Sequence, residues 1–461
     1  RFQPSKPPST AVPAVTFLRS MPALPFRPRK AMGSWVPSKR HAVVGLCGVS
    51  TFICYADRVN ISVTILHMGL TGAWRGWILA SFFYGYFTTQ LIGGLLSSRF
   101  GGSRVLNAAV AWWSAFTILT PWAARRSNHA LFLCRVLMGA GEGLAYPAIY
   151  DIVSQWAPPL ERARSFAAAQ FGSKAGTMFA LIVCPIIINA SGWPAVFFGF
   201  GASGFLWNLA WMMWVGSEAP AVNYHAVPGD GAPDAESAAL GKAKAVGAAE
   251  PPAAQEELSP RLARRLLALP SVWAIVAGHV TYNWGHYLLL SWLPTFLNEV
   301  HGVSKDNMSV SAVPFAFMSI GIGAWSSLAD RWARHATLTS VRKGMTTIGL
   351  GGAGLLLLLL ARAPDYLTAI MLASLSLGTQ AAAGSGVLIN HVDLAPRYSS
   401  VLFSLSNTFA TLPGMVAVPL ASAILAAPWG SWGHVFGLAA AVYAVGLAVY
   451  RRYMSAEPLN L

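Results

Sequence analysis

The chain has 461 residues, 55% of them hydrophobic and 11% charged, with a mean hydropathy of +0.50. Soluble domains carry roughly 25% charged residues, so a soluble core cannot hide this much apolar surface and lipid must solvate most of the chain. The net charge of +15 does not point to nucleic acid, because the aromatics lie inside apolar spans rather than among the basic clusters that base stacking needs.

Residues 1–40 form a basic tail: eight Lys/Arg fall within residues 1–41, and no acid precedes Asp57. Such a segment, without an apolar core, suits an organelle transit peptide or an ordinary basic cytosolic tail. Apolar spans long enough to cross a bilayer follow at about 41–66, 76–98, 104–123, 130–155, 162–189 and 193–216. Residues 217–270 are rich in Ala, Pro, Gly and Glu, a composition that builds no core and reads as a flexible cytoplasmic linker. At its end RLARRLLALP (261–270) predicts a short amphipathic helix on the membrane surface. Spans return at about 271–297, 309–329, 344–362, 366–391, 400–427 and 433–453, and residues 455–461 are a tail.

With the N-terminus inside, the inner loops and C-terminal end hold 16 Lys/Arg against 5 in the outer loops. Both termini therefore face the positive side. The halves echo each other: RFGGSR (99–104) with ADRWAR (329–334), APPLER (157–162) with APRYSS (395–400), GWPAVFFGF (192–200) with SWGHVFGLA (431–439). Three matches in order, offset by 230 to 239 residues, predict an all-α polytopic membrane protein. Twelve transmembrane helices form two six-helix pseudo-repeats, 41–216 and 271–454, the architecture of a rocking-bundle transporter.

Of the 32 Lys/Arg, only Arg58, Arg135 and Lys174 lie within spans. Asp57 and Glu142 are the deepest acids, and Asp151 and Asp393 sit near span ends. Intramembrane charge costs on the order of 2.5–3.5 kcal/mol or more, so these positions ask for a function. At about 1.5 Å per residue, Arg58 and Arg135 reach a similar level in the outer half. Glu142 lies seven residues beyond Arg135, on the same helix face and deeper. Guanidinium forks match carboxylate and phosphate, and a partly desolvated carboxylate can load and release a proton. The set is the minimum equipment of a cation-coupled anion carrier. Cross-helix pairs, Asp57 with Arg135 or Arg58 with Glu142, are the structural alternative. Lys174, in FGSKAGT, is an intramembrane charge with functional and structural readings equally open.

His279 and His286, seven apart, read as buried hydrogen-bonded residues rather than proton relays, and SFFYGYF (81–87) as helix packing. Tyr84 and Tyr86 need hydroxyl partners. The glycines of GAGEGLAYP (139–147) suit close helix approach. Cys47, Cys54, Cys134 and Cys184 form no CxxC pair and read as small buried hydrophobes. No metal cluster, phosphate loop or nucleophile–base motif stands out, which excludes an enzyme.

The stretches YADRVNISVTI, ASFFYGYFTTQLIGG, CRVLMGAGEGLAYPAIYDIVSQWAPPLERAR, NWGHYLLLSWLPTFL and NHVDLAPRYSSVLFSLSNT resemble the anion/cation symporter branch of the major facilitator superfamily. That branch includes vesicular glutamate transporters, sialin, sodium–phosphate cotransporters and plant plastid phosphate transporters. The resemblance implies a major facilitator fold, with Arg58 and Arg135 binding the anion and Asp57 and Glu142 coupling the cation. Tyr84, Tyr282 and Asn283 join Arg58 and Arg135 as candidate substrate-binding residues. Vesicular glutamate transporters have an arginine where this chain has Tyr282, and NWG (283–285) instead resembles the plastid phosphate branch. The superfamily's gating loop falls on Arg99 in the first half, where Ser98 replaces its usual Asp, and on Asp330 and Arg331 in the second.

The expectation is a monomeric secondary transporter of a small anion, inorganic phosphate first, in a plastid membrane. H⁺ or Na⁺ is co-transported, with no cofactor, metal or nucleic acid. An organic anion such as ascorbate, glutamate or a sugar acid is the alternative substrate, and an anion channel the remote one.

Overall fold

The computed structural model describes residues 36–157, 162–215, 260–395 and 398–459. Residues 1–35 of the expected transit peptide and 217–259 of the expected linker fall outside these residues, while residues 36–40 open the first helix. The first half comprises α1 (Val36–Thr64), α2 (Ala73–Phe100), α3 (Gly102–Arg126), α4 (Asn128–Glu142), α5 (Ala145–Trp156), α6 (Arg162–Ser191) and α7 (Trp193–Trp214). The amphipathic segment is α8 (Pro260–Leu267). The second half comprises α9 (Pro270–His301), α10 (Val313–Trp332), α11 (Leu338–Thr346), α12 (Ala353–Leu360), α13 (Tyr366–Ala383), α14 (Asn390–Leu394), α15 (Ser399–Phe409), α16 (Leu412–Ala426) and α17 (Trp432–Tyr453).

Four spans are made of paired helices. α4 and α5 form one span broken at Gly143 and Leu144, while π-helical turns at Thr347–Gly352 and Gly384–Leu388 join α11 to α12 and α13 to α14. α15 and α16 form the fourth such pair. The described residues thus form six helical segments before the linker and six after it, consistent with twelve spans. Eight of the twelve are long and apolar enough to cross a membrane by length and composition alone; the others are α2, α3, the α4–α5 pair and α9.

Side chains cap the loop-facing ends. Ser127, Thr337, Asp365 and Ser431 each accept a hydrogen bond from the backbone N–H three residues on, satisfying donors that a helix start leaves open. Gly101 (φ +82°) reverses the chain between α2 and α3 within one residue, a left-handed conformation that glycine adopts without a Cβ penalty.

Within each half the helices close up on small residues, as they do where lipid leaves packing as the main attraction. Gly172 and Gly176 of α6 face the backbone carbonyls of Gly48 and Phe52 on α1, with no room for a Cβ. Gly139 of α4 meets the Phe82 carbonyl of α2 in the same way. Between the halves, α2 packs along α16 and α6 along the turn Lys305–Ala312.

These inter-half contacts gather at the outer end. Arg75 forms an ion pair with Glu299, Lys305 Nζ donates to the Leu66 carbonyl at 2.7 Å, and Ser422 Oγ to that of Gly72 at 3.2 Å. These contacts tie the two halves together at that end.

Candidate substrate cavity

A cavity of about 550 Å³ opens on the seam between the halves. Its walls come from α1, α2, α5 and α6 on one side and α9 and α15 on the other. They run from mid-span (Arg58, Lys174, His286) to residues near the inner helix ends (Gly94, Ser154, Ser404). With the outer contacts made, the molecule is open toward the side that the charge bias marks as inner.

Arg58 of α1 lies on the cavity wall at 5% exposure. Its Nη2 donates to Glu142 Oε2 at 3.1 Å, and its Nε reaches the same oxygen at 3.4 Å. The Cys54 thiol donates to that oxygen too, at 3.0 Å. Three rings surround the guanidinium, Tyr55, Phe82 and Tyr86, with centroids 4.3, 4.4 and 4.8 Å from Cζ. Each such contact contributes about 0.5–2 kcal/mol, so the head is held with its plane positioned and remains accessible from the cavity. Glu142 itself is fully buried behind Arg58, with Oε1 lacking a hydrogen-bond partner among the described residues.

Arg135 does not join Arg58 on the cavity wall. It is fully buried, its Nη1 donating to the Asp57 carbonyl at 3.3 Å and approaching Met138 Sδ at 3.2 Å, its Nη2 reaching the Arg58 carbonyl at 3.5 Å. The two guanidiniums share a region, as their depths implied, but α4 turns Arg135 against the α1 backbone. Asp57 is likewise off the cavity: fully buried, neither carboxylate oxygen has a hydrogen-bond partner among the described residues. Of the two cross-helix pairs weighed from sequence, Arg58 with Glu142 forms as an ion pair. Asp57 meets Arg135 only through its backbone.

Lys174, Tyr282 and Asn283 line the cavity. Asn283 donates to the Ala410 carbonyl at 2.8 Å and to the Tyr287 hydroxyl at 3.3 Å. Tyr84 does not line it. Its hydroxyl donates to the Met415 carbonyl at 3.2 Å, in the seam where α2 meets α16. His279 and His286 both do; Ser406 Oγ bridges His279 Nδ1 at 3.0 Å and His391 Nε2 at 2.6 Å, whereas His286 Nδ1 is buried without a partner.

The residues assigned to the gating loops, Arg99, Asp330 and Arg331, are exposed at the inner ends of α2 and α10. Hydrogen-bonded acids also lie near the inner ends of α5 and α14. Asp151 accepts from the Gly102 N–H at 2.6 Å and Gln155 at 2.8 Å. Arg342 grips Asp393 with two bonds, at 2.6 and 3.2 Å, and also donates to the Ser385 carbonyl.

Sequence reasoning passed over four of the six cavity tyrosines. Tyr55, Tyr146, Tyr150 and Tyr287 line the cavity along with Tyr86 and Tyr282. A signal existed: Tyr86 with Gln90, Tyr146 with Tyr150, Tyr282 with His286 and Asn283 with Tyr287 are all four apart, hence on one helix face. Among the described residues no group of three His, Cys, Asp or Glu is arranged to hold a metal.

A family model described as Major Facilitator Superfamily matches residues 47–418. The chain belongs to that superfamily. Within it, the sodium-dependent phosphate transport protein 1, chloroplastic, of Arabidopsis thaliana is 36% identical over 430 residues, covering 91% of this chain and 80% of the relative. The chloroplastic ascorbate transporter of the same plant is 36% identical over 432 residues, covering 91% and 76%. A solved structure of a bacterial homologue of the human lysosomal transporter Spinster, described as inward-facing and unoccupied, aligns with TM-score 0.71 at 17% identity, over 90% of this chain and 97% of that one. This major facilitator protein is therefore a multi-pass membrane transporter of the anion/cation symporter branch, not an enzyme.

Proposed function

We propose that this chain carries inorganic phosphate across a plastid membrane by alternating access, coupled to H⁺ or Na⁺. The observation that carries the reading is Arg58. A guanidinium lies on the wall of an inner-open cavity at the seam between the halves, tied to one buried carboxylate. An anion entering the cavity competes with Glu142 for that fork. A cation on Glu142 weakens the pair and frees Arg58, so cation and anion binding favour each other reciprocally. Rocking of the halves about this level then exposes the loaded site to the outer side. The phosphate and plastid assignments are supported by the likeness to the plastid phosphate transport protein.

An organic anion is the second reading, and the cavity favours it on size. A volume of about 550 Å³ falls in the range that holds drug-sized ligands, and six tyrosines on its wall offer ring faces with hydroxyl donors. The relative named as an ascorbate transporter supports that reading. The test is uptake into proteoliposomes under imposed H⁺ and Na⁺ gradients. Accumulation of labelled phosphate is expected. Accumulation of ascorbate or a sugar acid, with none of phosphate, overturns the substrate. Gradient-independent current overturns coupled transport.

A further inference from the structure

We propose that Lys174 is the second cationic ligand of the transported anion and makes the cavity a site for a divalent oxyanion taken up with one cation. The inference rests on the anion-transport reading and adds to it a residue and a substrate charge.

The first ground is position. Lys174 lies on the same cavity wall as Arg58, one helix away on α6. The glycines on either side of it, Gly172 and Gly176, press α6 onto α1 with no space for a Cβ. At 100° per residue Lys174 points away from that contact. The same motif therefore fixes α6 beside Arg58 and directs the lysine stem off the helix–helix seam. Lys174, Arg58 and His286 all line this one cavity.

The second ground is charge balance. Deep in the first half, the buried cations Arg58 and Arg135 are matched in number by the buried acids Glu142 and Asp57, a set that sums to zero when all four are ionised, with the ion pair formed between Arg58 and Glu142. Lys174 is outside that balance: among the described residues no carboxylate forms an ion pair with it. Asp151, also on the cavity, lies toward the inner end and is engaged by Gly102 and Gln155. A cation left uncompensated at mid-membrane is costly unless something pairs with it, and the open cavity is where that partner enters. His286 Nδ1, buried and unpartnered on the facing wall, supplies one more group that a bound oxyanion can engage.

With both acids ionised the five charges sum to +1, which a monovalent anion neutralises. One proton on Glu142 or Asp57 raises the sum to +2, which a divalent oxyanion such as HPO₄²⁻ neutralises. Without Lys174 the same protonated site balances only a monovalent anion.

The test uses the full chain in nanodiscs, with phosphate and ascorbate as probes. At a pH where phosphate is mostly divalent, Lys174→Met is expected to weaken phosphate binding at least tenfold and to weaken ascorbate less. Lys174→Arg should stay within about threefold of the parent for both. Lys174→Gln is the second neutral variant should Met not give a monodisperse protein. In the unmodified protein, saturating phosphate should slow acylation of Lys174 by an amine-reactive reagent, read by peptide mass spectrometry. Unchanged phosphate binding in both neutral variants, or acylation indifferent to phosphate, overturns the proposal and leaves anion transport standing. An unmodified protein that is folded and binds neither probe overturns the anion-transport reading as well.

Discussion

Glu142→Gln isolates the step that joins cation to anion. The change keeps the volume and one acceptor oxygen for the Cys54 thiol, but removes the charge 3.1 Å from Arg58. Unit charges about 4 Å apart at an effective dielectric near 20 attract by roughly 4 kcal/mol. Net of desolvation, a hydrogen bond to a charged group is worth about 1.5–3 kcal/mol. The smaller figure governs here, because the three rings around Arg58 and cavity water still receive it after the change. If the anion must displace Glu142, removing the charge returns about 1.5–3 kcal/mol to anion binding, roughly 10- to 150-fold in Kd. The assay pairs binding in nanodiscs with two proteoliposome measurements, gradient-driven net uptake and exchange at equal concentrations. Tighter anion binding, persistent exchange and lost accumulation are expected. Unchanged affinity together with unchanged gradient-driven accumulation and pH dependence would refute the competition of Glu142 and substrate for Arg58.

Arg135→Ala should abolish transport and lower the thermal midpoint. The change removes the buried hydrogen bonds from its guanidinium to the Asp57 and Arg58 carbonyls, and hydrogen bonds from a charged group are worth about 1.5–3 kcal/mol each. Because Arg135 does not line the cavity, the Kd for the anion should move by less than about tenfold; a complete loss of binding with an unchanged midpoint would put Arg135 back at the substrate. Gly176→Leu should prevent correct assembly, since even a Cβ there meets the Phe52 carbonyl; a normal elution profile in size exclusion would contradict the α1–α6 packing. Asp365, in the outer loop before α13, accepts from the backbone and side chain of Thr368, which hold its carboxyl below the usual 3.8. Its capping contribution is therefore present at neutral pH and lost as pH falls through the carboxylate range. Asp365→Ala should lower the thermal midpoint at pH 7 and lose its effect in acid, whereas a difference that persists in acid would assign it to packing.

Arg58 and Glu142 were legible as functional candidates because a charge inside an apolar span stands out against its cost. Their pairing was one alternative among several, since seven residues of α4 and an assumed neighbour relation fix depth but not which group turns inward. Tyr84 and Tyr86 differ by two residues on α2, and only the packing of α2 between α4 and α16 sends one into the outer seam and the other against Arg58. Tyr55, Tyr146, Tyr150 and Tyr287 were missed because an aromatic in a lipid-facing or packed position looks the same in sequence as one facing water.

By itself, the sequence determined the membrane environment and the division into two halves, and it predicted the direction of insertion and the depth of each buried charge. These follow from hydropathy, loop charge and a fixed rise per residue, all local along the chain. Which side of each helix meets the cavity was decided only by tertiary structure. Glycine contacts such as those of Gly172 and Gly176 set the rotation of one helix against its neighbour, and that rotation put Arg58 and Lys174 on the cavity while Arg135 and Asp57 stayed behind it.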